Sequence, residues 1–154
     1  MAILYDAKAW KEAFIEVQNQ FEIDTLFPEQ ELAIKTLMER DNVFINLPAG
    51  CGKSLIYQCL PFVDDIKNGN PRCTSVLVVI SPLKALMEDQ VEYLGSVGVP
   101  AIAVGDKLDA EFVQMIKIGT FMLVYCSPEC ALSTTTWKEI FSDSCFRKKR
   151  WRCN

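Results

Sequence analysis

A glycine-rich turn between a β-rich run and a helix-like segment constrains the fold of this chain more than any other feature. The run at 43–47, Val-Phe-Ile-Asn-Leu, predicts a short buried strand. It is followed by Pro48-Ala49-Gly50-Cys51-Gly52-Lys53-Ser54, and helical character continues to about residue 67. A strand, a flexible loop and a helix in this order can turn successive backbone amides toward one anion. The segment therefore predicts a phosphate-binding loop.

The residue types in the loop suit a nucleotide with its magnesium ion. Lys53 would reach the β- and γ-phosphates of ATP, and the Ser54 hydroxyl would ligate Mg²⁺, which makes these two the candidate catalytic residues. The strict form of the motif has glycine at position 47, where this chain has Leu47. The alternative is a glycine-rich turn that binds no ligand. The candidate cofactor-binding residues of the loop are Pro48, Ala49, Gly50, Cys51, Gly52, Lys53, Ser54 and Leu55.

Helix-like and strand-like segments alternate along the rest of the sequence. Helical spacing of apolar residues predicts helices at 7–20, 28–39, 83–94 and 109–118, with another after residue 134. Apolar or β-rich runs predict strands at 75–80, 101–104 and 120–126. Because strands that alternate with helices form parallel βαβ units, we expect a three-layer α/β domain with a mainly parallel sheet.

The composition of the chain indicates in which cellular compartment it functions and which partners it can bind. The 154 residues have room for one domain, and their formal charge of −4 gives no overall attraction to nucleic acid, although a local patch can act against it. Seven scattered cysteines and no secretory signal indicate a reducing, intracellular setting. Cys126 and Cys130 are the only close pair and histidine is absent, so no structural zinc is expected. No apolar run is long enough to predict a membrane span.

The residues around the loop resemble RecQ-like DNA helicases of the DEAD/DEAH-box type. Asn46 to Gln58 is similar to the nucleotide motif of that family, in which Leu-Pro precedes the loop and the first glycine is not used. Val79 to Val91 resembles the next motif, which helps to hold the DNA strand, and Leu123 to Glu129 resembles the one after it. Pro28 to Ile34 is similar to the segment whose glutamine reads adenine.

The resemblance implies a RecA-like fold of the P-loop NTPase class and an ATP-dependent 3′-to-5′ DNA helicase activity. It makes Gln30 a cofactor-binding residue that selects ATP over GTP, although the arginine usual before Pro28 is Phe27 here. It also implies binding of single-stranded or partially duplex DNA, weak for these residues alone, and nuclear localisation. The nucleic-acid-binding residues would be Ser81, Pro82, Leu83, Gln90, Ser127, Pro128 and Glu129.

The family's Asp-Glu-Ala-His motif does not occur in the sequence. We therefore expect an N-terminal helical extension at 1–20, an incomplete first helicase ATP-binding domain at 21–145 that stops before this motif, and a basic tail at 146–154. The tail has no fold-like pattern, and it can be a solvated segment, a nucleic-acid patch or the product of a frameshift or misplaced splice junction.

Without the acidic motif we expect the isolated chain neither to hydrolyse ATP at a useful rate nor to unwind DNA. The alternative from another class is a non-catalytic nucleotide-binding module that regulates a helicase. A small kinase is a third hypothesis, but the arginine-rich lid and the acceptor site that it would need are not visible in the sequence.

Overall fold

A computed structural model describes residues 2–39, 42–105, 109–133, 135–143 and 151–153. The chain divides into two compact units, residues 1–72 and residues 73–154. The first unit contains the glycine-rich loop, and the second contains the sheet.

The described part of the first unit contains four helices: α1 (Ala2–Phe21), α2 (Pro28–Glu39), α3 (Lys53–Gln58) and α4 (Leu60–Lys67). The apolar stripe of α1 is buried, with Trp10, Phe14 and Val17 at most 8% exposed. The rings of Phe21 and Phe62 meet edge to face at 5.8 Å, which joins α1 to α4. Pro28 occupies the first position of α2, as predicted, where its missing N–H costs no hydrogen bond.

The helix predicted from residue 53 to about residue 67 is interrupted at one position. Its hydrogen bonds continue through Cys59, whose N–H donates to the Leu55 carbonyl and whose carbonyl accepts from Val63, each at 3.1 Å. Pro61 has no N–H with which to continue this pattern to the residue four positions earlier. The proline therefore explains why α3 and α4 are two short helices.

The predicted strand at 43–47 is wrong. Residues 43–48 have no regular secondary structure, and the side chain of Phe44 is 91% exposed. A strand exists only where its backbone groups pair with a neighbour, and the described part of the first unit contains no other strand. The β-rich composition of the run therefore does not produce a strand here.

Among its described residues, the second unit has four parallel strands and four helices. In chain order they are β1 (Val76–Ile80), α5 (Lys84–Ser96), β2 (Ala101–Val104), α6 (Ala110–Ile118), β3 (Leu123–Cys126), α7 (Pro128–Ser133), α8 (Thr135–Ser142) and β4 (Trp151–Cys153). The strand order is β2-β3-β1-β4, and every pairing is parallel. The parallel sheet confirms the predicted α/β class.

One face of this sheet packs on α6 and α8 through a core of apolar side chains that includes Trp137. Trp137 is 2% exposed, and its indole N–H lies 3.2 Å from the Cys130 sulfur, which accepts it. Cys130 therefore serves as a buried core residue and hydrogen-bond acceptor.

The basic segment at the end of the chain differs from the prediction in its last residues. Trp151–Cys153 form β4, with Val76 opposite Trp151 and Val78 opposite Cys153. Residues 144–150, on which most of the predicted tail falls, lie outside the described residues. No helix in the described parts of the chain is both long and apolar enough to cross a bilayer.

Candidate functional site

The glycine-rich loop has a backbone that only glycine adopts readily. Gly50 has φ of 83° and Gly52 has φ of 65°, both in the left-handed region. A Cβ atom on Gly50 would meet no atom within 4 Å, so the loop is open on that side. A Cβ atom on Gly52 would lie 2.5 Å from the Gln30 Nε2 atom, so this position needs glycine for space as well as for its backbone angle.

The candidate lysine of the loop is held by the loop itself. Lys53 is the first residue of α3, and its exposed ammonium donates a hydrogen bond of 2.9 Å to the Leu47 carbonyl. The Lys53 side chain therefore crosses the loop, and its ammonium contacts Leu47, the residue before Pro48. The ammonium has three N–H donors and this hydrogen bond uses one of them, so a phosphate group could pair with Lys53 while the contact to Leu47 remains. Ser54, the predicted magnesium ligand, is half-buried in the first turn of α3.

Gln30, in α2, contacts two loop residues that lie 21 and 22 positions later in the sequence. Its Oε1 atom accepts the Phe27 N–H at 2.9 Å. Its Nε2 atom donates to the carbonyls of Cys51 at 3.4 Å and Gly52 at 3.3 Å. The side chain is only 3% exposed. The structure thus places Gln30 against the backbone of the loop, a contact that no local sequence pattern indicated. The reading of adenine that the resemblance implies for Gln30 stays a prediction.

Two cysteines near the loop differ in their surroundings. Cys51 is half-buried within the loop, whereas Cys59, at the junction of α3 and α4, is fully buried. Burial raises the pKa of the Cys59 thiol far above its ordinary value, because the thiolate would lose its hydration. Cys59 is therefore a neutral core residue.

A second group of predicted residues meets at the carboxyl ends of β1 and β3. These strands are neighbours with Ile80 opposite Cys126, and the Ser81 N–H donates to the Cys126 carbonyl at 2.9 Å. The loops that begin at Ser81 and Ser127 therefore leave the sheet side by side, which is where ligands bind in open parallel sheets.

The two loops border a cavity of about 350 Å³. Of the residues predicted to bind nucleic acid, Pro82, Ser127 and Glu129 line it. Ser81 and Leu83 belong to the loop after β1, Pro128 is the first residue of α7, and Gln90 lies farther along α5. The Ser81 and Ser127 hydroxyl oxygens accept backbone N–H groups of Leu83 and Cys130, at 3.4 and 3.1 Å, and so help to shape the two turns.

The other residues that line this cavity were not among the individually predicted DNA-binding residues, although Lys84 and Glu88 lie within the motif at Val79 to Val91. Gly105 follows β2, and Lys84 and Glu88 belong to the first turns of α5. The rule that parallel strands present their carboxyl ends at one edge could have found Gly105 from the predicted strand at 101–104. Lys84 pairs with Glu88 at 4.0 Å, and with Glu129 also present the lining has more acidic than basic side chains.

Metal ligands are sparse in the described residues. No group of three or more histidine, cysteine, aspartate or glutamate side chains in those residues lies close enough together to hold a metal ion.

Comparison with known proteins defines the class of this chain. Residues 27–146 match the profile of the DEAD/DEAH box helicase family, and the chain belongs to this family. Within it, the similarity is to RecQ-like helicases, which confirms the resemblance found in the sequence and, with the parallel α/β fold, the expected RecA-like class.

Three relatives illustrate the similarity and its extent. The chain is 33% identical over 135 residues to the ATP-dependent helicase SGS1 of Saccharomyces cerevisiae, an alignment that covers 85% of this chain and 9% of that protein. It is 35% identical over 133 residues to the RecQ-like DNA helicase BLM of Xenopus laevis, covering 81% and 9%. It is 30% identical over 131 residues to the putative ATP-dependent DNA helicase Q1 of Caenorhabditis elegans, covering 80% and 19%. The chain thus spans less than a fifth of the length of each of these relatives.

Proposed function

We propose that this chain binds Mg²⁺–ATP at residues 48–55 and a DNA strand at the carboxyl ends of β1 and β3, as part of an ATP-dependent 3′-to-5′ DNA helicase. The observation that carries the proposal is the loop itself, in which two left-handed glycines precede Lys53 at the start of a helix. Membership of the helicase family supports ATP as the ligand. The names of the relatives support DNA as the partner, and with it a nuclear, intracellular location.

The chemistry of the loop fits a triphosphate with its magnesium ion. The space beside Gly50 admits phosphate oxygens close to the backbone, and the backbone amides of the loop are their donors. The Lys53 ammonium supplies a positive charge, and the Ser54 hydroxyl is the protein's ligand to the ion. Bound Mg²⁺ would neutralise charge on the β- and γ-phosphates.

Hydrolysis requires an acidic residue for the magnesium ion and a group that orients the attacking water. The Asp-Glu-Ala-His sequence is not present, and the acidic pair that follows the loop, Asp64 and Asp65, lies buried on α4 at 3% exposure. Asp64 also accepts a hydrogen bond of 3.2 Å from the Asn68 amide. We therefore assign nucleotide binding to these residues and no useful hydrolysis or unwinding to them alone.

Titration with a fluorescent ATP analogue in the presence of magnesium tests the loop. Lys53→Ala should weaken binding at least tenfold, since a hydrogen bond to a charged group contributes about 1.5–3 kcal/mol. Lys8→Ala, which removes the same charge from an exposed position of α1, should bind like the wild type. Equal affinity of wild type and Lys53→Ala would refute nucleotide binding at this loop.

The acidic lining of the strand-end cavity favours a second candidate, a nucleotide-binding module without catalytic or DNA-binding activity that regulates a helicase. The carboxylates of Glu88 and Glu129 would repel a phosphate backbone there, and the whole chain has a formal charge of −4.

Fluorescence anisotropy with labelled single-stranded DNA distinguishes the helicase proposal from the regulatory module. Salt-dependent binding that Lys84→Ala weakens and Lys8→Ala does not supports the helicase proposal, and nucleotide binding with no DNA binding supports the module.

A further inference from the structure

Helix α5 carries a line of mostly apolar side chains on its exposed side, which we call the α5 stripe. It consists of Leu83, Leu86, Gln90, Tyr93 and Val97, and its first and last members cap the two ends of the helix. Leu83, Leu86 and Tyr93 are 60, 45 and 42% exposed, and the other two residues are half-buried. Single exposed apolar residues are common on protein surfaces, whereas a continuous line of them marks a contact site.

The spacing of the α5 stripe is that of one seam of a coiled coil. Its members follow each other at intervals of three, four, three and four residues. These are the a and d positions of successive heptads, which meet a partner helix. The unit itself uses another side of α5, since its buried residues are Met87 and Leu94 and the helix packs on β2. The stripe is therefore additional to the contact that holds α5 in its unit.

The flank of the α5 stripe is acidic. Asp89 lies one turn from both Leu86 and Tyr93, at the position that borders the seam in a coiled coil. Glu92 lies one turn farther along the helix, and both carboxylates are exposed. Lys84, the only basic residue of α5, is at the first position of the helix. An occupant of the stripe therefore meets negative charge along its side.

This negative flank distinguishes between possible occupants. In a two-fold pairing of α5 with a second copy of itself, Asp89 would meet its symmetry mate near the middle of the stripe, and like charges side by side oppose association. A DNA strand, which Leu83 and Gln90 are predicted to contact, would bring phosphates to the same carboxylates. A helix with lysine or arginine beside its own apolar seam gains from both the stripe and the flank.

We propose that the α5 stripe is a docking site for a basic amphipathic helix of another protein. That helix lies along α5, with its apolar residues on Leu86 and Tyr93 and its basic residues against Asp89 and Glu92. The 13 residues of α5 give a contact about 20 Å long, so the partner needs about two heptads. Docking on the stripe does not depend on nucleotide binding at the loop.

Two designed peptides serve as probes of the stripe. Each has three heptads with leucine at the a and d positions, and the e and g positions are all lysine in one peptide and all glutamate in the other. Like charges at these positions keep each peptide from pairing with itself. Fluorescence anisotropy with the 154-residue chain should show that the labelled lysine peptide binds about tenfold more tightly than the glutamate peptide, and that added salt weakens it.

Apolar substitutions test the place of binding. Leu86→Ser and Tyr93→Ser should each weaken the lysine peptide about fivefold or more, because each removes apolar surface from the contact. Phe112→Ser is the matched control, since Phe112 has a similar exposure of 41% but belongs to α6. It should leave the affinity unchanged. Far-ultraviolet circular dichroism checks that each variant is folded at the temperature of titration.

Charge reversal tests the role of the acidic flank. Asp89→Lys combined with Glu92→Lys should reverse the preference, so that the glutamate peptide binds more tightly than the lysine peptide. Glu111→Lys, at an exposed position of α6, changes the net charge in the same direction and should leave the preference as it is in the wild type. Because the reversed preference includes a gain of affinity, partial loss of structure does not explain it.

Four results would overturn the inference. Equal affinity of the wild type for both peptides would show that the flank does not select a basic partner. Unchanged affinity in folded Leu86→Ser and Tyr93→Ser would place peptide binding elsewhere. Loss of single-stranded DNA binding in these variants, with no peptide binding by the wild type, would assign the stripe to DNA. Dimerisation in sedimentation equilibrium that Tyr93→Ser abolishes would make a second copy the occupant.

Discussion

Replacement of Glu22 by glycine should stabilise the first unit, because the end of α1 is built for a glycine that the chain lacks. Glu22 follows the last residue of α1 and has φ of 53°, in the left-handed region. The Ile23 N–H donates to the Gln18 carbonyl at 3.0 Å, which is the hydrogen bond that closes a Schellman motif. Glutamate at this position is strained, and its negative charge lies at the unfavourable end of the helix dipole.

The magnitude follows from three contributions. A left-handed backbone costs an L-residue about 1–2 kcal/mol, and removal of the charge from the helix end adds about 0.3 kcal/mol or more. Glycine loses about 0.5–1 kcal/mol through the greater freedom of its unfolded chain. The net gain is about 0.3–1.8 kcal/mol in the free energy of unfolding, with the middle of that range near 1 kcal/mol. With a urea slope of about 1–3 kcal/mol per molar, the midpoint should rise by a few tenths molar.

Urea denaturation followed by circular dichroism at 222 nm provides the assay. The matched control is Glu16→Gly, which places the same substitution at an exposed position within α1, where glycine should lower the free energy of unfolding by about 0.5–1 kcal/mol. The two variants should therefore move the midpoint in opposite directions. A midpoint that falls in Glu22→Gly by as much as in Glu16→Gly would refute the argument from the left-handed backbone.

The two cysteines near the loop give two further predictions. Iodoacetamide should label Cys51 in the folded protein at a rate that Mg²⁺–ATP lowers, while Cys59 stays unlabelled until urea unfolds the chain. Peptide mass spectrometry measures the labelling of both cysteines. Labelling of Cys51 that ATP does not slow would contradict nucleotide binding at the loop. Because burial raises the pKa of the Cys59 thiol, the folded state keeps a proton that the unfolded state loses above about pH 9.0. Above that pH, the free energy of unfolding should fall with rising pH more steeply in the wild type than in Cys59→Ala, by about 1.4 kcal/mol per pH unit. Urea titrations at several pH values measure this fall, and the same dependence on pH in both proteins would refute the prediction.

The sequence determined the features of this protein that depend on local composition. Apolar runs at 76–80 and 123–126 form strands and the alternating segments form helices, because periodicity and side-chain shape act over a few neighbouring residues. The turn at the loop was also predictable from its glycines, since glycine permits the left-handed backbone angles that Gly50 and Gly52 have. These signals were enough for the α/β class, and the motifs that resemble those of RecQ-like helicases were enough for the family.

Pairing and contact between distant segments were decided only by the tertiary structure. The β-rich run at 43–47 is not a strand because no strand lies beside it in the described part of its unit, whereas the unpatterned Trp151–Cys153 is one because β1 offers its edge. The hydrogen bonds from Gln30 to the loop likewise join residues 21 and 22 positions apart. A strand needs a partner and a buried amide needs acceptors, and both are supplied by parts of the chain that no local pattern connects.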